Sequence, residues 1–113
     1  MGNVCVFFGT GFEEIEALTV VDLLRRVDVD TEMVSVMEDK TVTGSHGIPV
    51  VTDRLISEVD FDKTDVIVLP GGMPGTRKLE ECEALMRQVD AFAADGWYAR
   101  SVPLPRFWGT EDI

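Results

Sequence analysis

The chain is poor in the residues that mark a disulfide scaffold, a zinc module, a nucleic-acid binder or a membrane protein. Cysteine occurs twice in 113 residues, Cys5 in an apolar strand-like run and Cys82 in a helical pattern. A disulfide framework is not expected, and both read as small buried apolar side chains. Histidine occurs once, His46, inside Gly44-Ser45-His46-Gly47, with no second ligand at metal spacing, which argues against zinc. Cations are scarce: 10 Lys and Arg stand against 21 Asp and Glu, a formal net charge of −11, so nucleic acid and anionic membrane would be repelled. No apolar run approaches the roughly 18 residues of a membrane span. Met1-Gly2-Asn3 enters a short strand-like stretch with no basic flank, so no signal peptide is expected, and cytoplasm is the default location.

What remains is an ordinary globular composition, 45% hydrophobic, enough for one domain with a real core. Val4 to Phe8 is a continuous apolar run ending at Gly9-Thr10-Gly11, the pattern of a strand buried on both faces, which favours a parallel sheet. From Glu13 to Arg26 the apolar positions Ile15, Leu18, Val20 or Val21, and Leu24 recur at helical spacing. Acids lie in the first turn and Arg25-Arg26 in the last, matching the helix dipole. Thr31 to Met37 alternates and reads as a second strand. Thr41-Val42-Thr43 and Ile48-Pro49-Val50-Val51 flank the Gly-Ser-His-Gly turn as a small hairpin inserted on a βαβ rhythm. Leu55 to Val59 reads as a short helical turn and Asp65 to Leu69 as a third core strand. Thr76 to Asp95 reads as one amphipathic helix with Leu79, Cys82, Leu85, Met86, Val89 and Phe92 on one side. The order is that of an α/β protein.

One segment stands out as a place to hold an anion. Leu69 to Thr76, LPGGMPGT, follows the apolar Val66-Ile67-Val68 and opens a helical pattern. Backbone N–H groups left free at a Gly pair near a helix N-terminus suit a phosphate, a carboxylate or a developing oxyanion. In parallel sheets ligands sit beyond the carboxyl ends of adjacent strands, which brings forward two segments together: Gly9 to Glu16 and Gly71 to Gly75.

GFEEIEALTVVDLLRR at Gly11 to Arg26, GSHGIPVVTD at Gly44 to Asp53 and DVIVLPGGMPGT at Asp65 to Thr76 together resemble the ThiJ/PfpI superfamily, the DJ-1-like proteins, over about residues 3 to 96. The resemblance implies a flavodoxin-like three-layer sandwich with a parallel sheet and a small β-hairpin, usually dimeric and related to class I glutamine amidotransferases. It implies a cysteine nucleophile at a strand-to-helix elbow, in glyoxalase- or deglycase-type hydrolases or lyases acting on small carbonyl compounds. Some members carry a thiazole monophosphate biosynthesis label, and some are credited with redox-responsive or chaperone-like binding. By resemblance Glu16 is the acid that hydrogen-bonds the cysteine, protonated when the thiolate is present, and Gly71 and Gly72 supply oxyanion-hole amides. No cofactor and no metal are implied, His46 has no catalytic role, and the family's own histidine belongs downstream of residue 113.

After the last helix the family continues with a buried strand and an elbow of the type AICAAP, whereas this chain reads GWYARSVPLPRFWGTEDI. Pro103 and Pro105 cannot donate to a central ladder and Arg100 places a charge in mid-strand. Reading the third base of each codon with the first two of the next permits V-x-A-I-C-A-A-P from Trp97 to Pro105. The expectation is that residues 1–96 are the N-terminal part of a family domain and residues 97–113 an aberrant, out-of-frame tail. On that expectation the chain lacks the C-terminal half, the nucleophile and the histidine, and is inactive.

Overall fold

The computed structural model describes residues 3–71, 75–94 and 98–100. The elements are β1 (Asn3–Phe8), α1 (Glu14–Arg26), β2 (Asp30–Ser35), the hairpin β3 (Thr41–Thr43) and β4 (Pro49–Val51), β5 (Arg54–Leu55), β6 (Val66–Leu69), α2 (Gly75–Glu80), α3 (Glu83–Ala94) and β7 (Tyr98–Arg100). Five strands form one parallel sheet in the order β5-β2-β1-β6-β7, and β3 pairs with β4 in a separate antiparallel ribbon.

The alternation of β1 builds the layers. Val4, Val6 and Phe8 face α1 and the hairpin, in a cluster with Phe12, Ala17, Val21, Val42 and Val68. Cys5 and Phe7 face the other way, in a cluster with Val34, Ile67, Leu69, Leu79 and Leu85 under α2 and α3. All five of these β1 residues are buried, as a central parallel strand requires. Two apolar layers on one sheet give the expected three-layer α/β sandwich.

Four expectations shift in detail. The apolar face of α1 is rotated from the one read in sequence: Glu14, Ala17 and Val21 are buried, and Ile15 is 75% exposed. The second strand stops at Ser35, whose hydroxyl donates to Asp39 O (2.7 Å) and accepts from Met37 N (3.0 Å), turning the chain out of the ladder. Leu55 is not helical; it pairs with Ser35 in β5, and a single 3₁₀ turn, Ile56–Glu58, follows. The helix read over 76–95 is two helices. Cys82 N–H closes a tight turn on Leu79 O (3.2 Å) and Cys82 O starts α3 by accepting from Met86 N (3.0 Å). The break brings both Leu79 and Leu85 into the core, at 3% and 0% exposure, and separates the acids Glu80, Glu81 and Glu83.

β7 extends the sheet next to β6, with Leu69 opposite Arg100. It falls inside the segment read as a foreign tail; residues 95–97 and 101–113 lie outside the described residues. Among the described residues no helix is long and apolar enough to cross a membrane.

Candidate active site at the carboxyl ends of β1 and β6

β1 sits at the point where the strand order reverses, with β2 on one side and β6 on the other. The loops leaving β1 and β6 therefore diverge around one crevice, the usual ligand position in such sheets. The backbone ties them together: Glu13 N–H donates to Gly71 O at 3.3 Å. Glu13 is also the N-cap of α1, its carboxylate accepting from Ile15 N at 2.7 Å. This fixes the first turn of α1 beside the end of β6.

Glu16 lies on that turn and Gly71 one residue beyond the buried Pro70. A Cβ built on Gly71 would stand 3.1 Å from Glu16 Oε1, so the absence of a side chain lets the carboxyl approach the backbone. Glu16 Oε1 is shut from solvent and has no hydrogen-bond partner among the described residues. Burial, followed by the carboxylate of Glu13, raises the Glu16 pKa above the usual value, against a weaker opposing pull from the Gly71 backbone. Gly72, the second expected oxyanion-hole residue, lies outside the described residues.

His46 is elsewhere. The turn of the hairpin is laid over the β1–α1 loop by Gly11 N–H to Thr43 O (2.9 Å) and Ser45 N–H to Phe12 O (2.8 Å). There the carboxylate of Glu14, with 5% of its side chain exposed, accepts from His46 N (2.8 Å) and Ile48 N (3.3 Å) and meets His46 Nδ1 at 3.1 Å. Burial opposes its ionisation, but the backbone N–H of Glu14 itself and the donors from His46 and Ile48 outweigh it and hold the pKa below the usual carboxylate range. The sequence reading missed Glu14, treating it as a helix-dipole acid. The available signal was its spacing, i, i+3, i+7 with Ala17 and Val21, which places it on the buried face.

Neither cysteine belongs to the crevice. Cys5 is 1% exposed in the second core cluster, its Sγ 3.6 Å from Thr64 Oγ1, and burial pushes its thiol pKa up. Cys82 is half-buried against the same cluster. A groove of about 500 Å³ opens at the opposite, amino end of the strands, but two acids on its wall are already engaged, Glu32 by Arg54 and Glu58 by Lys40.

The model of the DJ-1/PfpI family matches residues 2–102. The chain belongs to the DJ-1/PfpI family. It is 38% identical over 86 residues to protein DJ-1 homolog B of Arabidopsis thaliana, covering 76% of this chain and 20% of that protein. The structure of oxidised DJ-1 from Toxoplasma gondii superposes with a TM-score of 0.84 at 35% identity, covering 88% of this chain and 55% of the other. A deglycase of Thermococcus kodakarensis is 33% identical over 70 residues, 62% of this chain and 42% of that protein. The chain thus spans at most about half the length of these relatives. The DJ-1/PfpI match runs from β1 through β7, so the parallel sheet, the flanking helices and the separate hairpin are the family's fold.

Proposed function

We propose that this chain carries the non-nucleophilic half of a cysteine-dependent hydrolase or lyase site for small carbonyl compounds of the glyoxal type, and that the polypeptide as given does not turn over. The observation that carries the reading is the buried, unpartnered Glu16 Oε1 against Gly71 at the switch point of the sheet. In the complete reaction a thiolate attacks the carbonyl carbon and the amides of Gly71 and Gly72 stabilise the oxyanion. Glu16, whose pKa its surroundings raise, donates a hydrogen bond to the sulfur in its protonated form. The deglycase among the similar proteins supports this substrate class. Cys5, buried in the core, and Cys82, half-buried against the same cluster, do not supply the thiolate. Incubation of this polypeptide with methylglyoxal is expected to give no turnover above buffer, and measurable turnover would overturn the reading.

The tail belongs to the same proposal. We infer that residues from about 97 onward are an out-of-frame reading of a family gene, because the shifted codons permit an AICAAP elbow where the family places one. Sequencing the encoding DNA from the codon of Asp95 onward tests this: a second frame through a cysteine elbow and a later histidine supports it, and its absence overturns it. The restored chain is then expected to be a homodimer that turns over methylglyoxal.

A non-catalytic, redox-responsive or chaperone-like binding role is the second reading, resting on open sheet edges and apolar sheet surface that invite self-association. A sharp monomer in sedimentation, with no binding of a dye for apolar surface, would overturn it.

A further inference from the structure

The strongest feature that the proposed function leaves unused is the meeting of Glu14, Ser45 and His46. Two positions along a helix turn the side chain by about 200°, so Glu14 and Glu16 serve opposite sides of α1 and the two sites are separate. An ionised carboxylate can only accept hydrogen bonds. Glu14 Oε1 is 3.1 Å from His46 Nδ1, so Nδ1 carries a proton in this arrangement. Ser45 Oγ, 3.3 Å from Oε1 and 3.1 Å from Nδ1, donates to the carboxylate and accepts from the ring. Backbone N–H groups of His46 and Ile48 occupy Oε2. The carboxylate is thus held by four donors and is almost wholly buried, whereas the imidazole side chain is 53% exposed. No described residue bonds His46 Nε2.

A neutral imidazole has one ring proton, and with that proton on Nδ1 the exposed Nε2 keeps its lone pair. We propose that Glu14 and His46 form a second reactive site: a carboxylate–imidazole dyad in which Glu14 holds the Nδ1–H tautomer and Nε2 acts as a nucleophile toward small acyl electrophiles. In that step Nε2 forms a bond to the acyl carbon and the leaving group departs as an anion with the electrons of its broken bond. The Nδ1 proton passes to Glu14, which leaves a neutral acyl-imidazole. Gly44 belongs to the device, because a Cβ there would overlap the Glu14 carboxyl group and lift the turn.

His46 is the chain's one histidine, so ring-nitrogen NMR reads it without ambiguity. With the ring neutral, Nδ1 is expected to be pyrrole-like and Nε2 pyridine-like. Diethyl pyrocarbonate is expected to place its ethoxycarbonyl group on Nε2. Glu14→Gln is expected to abolish the single-tautomer signature and slow carbethoxylation several-fold, whereas Asp22→Asn, which removes an acid of the same helix that pairs only with Arg26, keeps both. A protonated Nε2 in the unaltered chain, a tautomer unchanged in E14Q, or its loss in D22N would each overturn the proposal; the first and third readouts hold even if E14Q fails to fold.

Discussion

Glu14 and Glu16, two residues apart in the first turn of α1, are displaced in opposite directions: burial and the Glu13 carboxylate raise the Glu16 pKa, while for Glu14 its own backbone N–H and donors from the hairpin turn outweigh burial and lower it. One helix end therefore carries an anchored anion on one side and an acid inclined to keep its proton on the other. The backbone bond from Glu13 to Gly71 sets the second, and the turn Gly44–Ile48 sets the first.

For Glu16 the sign of the pH dependence follows. A carboxyl whose folded pKa lies above its unfolded value binds more protons when folded, so it favours the folded chain at acid pH and costs stability as pH rises through the interval between the two. Glu16→Gln removes that cost. Thermal unfolding at pH 7 is expected to show E16Q more stable, with the difference shrinking toward pH 4. A destabilised E16Q at pH 7 would contradict the placement of Glu16 Oε1.

Glu14 behaves oppositely. Its folded pKa is lowered, so its contribution is complete above the unfolded value and is lost as pH falls through the folded one. Glu14→Ala leaves the N–H groups of His46 and Ile48 without their acceptor and is expected to cost about 1–3 kcal/mol in denaturant unfolding. Hydrogen exchange gives the local check: the His46 and Ile48 amides, bonded to Oε2, are expected to lose protection before the sheet does.

The order of elements was legible because strong local patterns carry it: the unbroken Val4–Phe8 run, the Gly-bounded hairpin and the Val66–Leu69 run before a Gly pair. What was not legible depends on tertiary partners. Glu14 and Ile15 are neighbours of contrary polarity, and helical periodicity tolerates either face; only the hairpin turn, 30 residues on in sequence, supplies the donors that make Glu14 the buried one. The break at Cys82 has no Gly or Pro to announce it and follows from fitting Leu79 and Leu85 under one sheet. At the candidate site, Gly71 was marked by its motif, whereas the isolation of Glu16 Oε1 against it is a property of packing.

Asp53 is a staple between layers. Its Oδ2 accepts from Arg25 Nη2 (2.9 Å) and Met33 N (2.8 Å), and Arg25 also donates to Thr31 O (2.9 Å), joining α1, β2 and the exit of the hairpin. The ion pair is about half exposed and adds little by itself, but the Met33 amide loses its acceptor when Asp53 is removed. Asp53→Ala is expected to lower stability by about 1–2 kcal/mol. Arg25→Ala, which leaves the amide bonded, is expected to cost less, and the reverse order would show that the ion pair dominates.

The coupling between Gly44 and Glu14 gives the sharpest test of the hairpin latch. A methyl at residue 44 would overlap the Glu14 carboxyl, whose four bonds leave it no room to swing aside. Gly44→Ala is therefore expected to cost about 1–3 kcal/mol through strain. In a chain already carrying Glu14→Ala the obstructing carboxyl is gone, so the same substitution is expected to cost almost nothing, and the double variant is expected to be markedly less unstable than the sum of the singles. Additive losses in equilibrium denaturation would mean that residue 44 acts through backbone freedom alone, independently of the carboxylate beneath it.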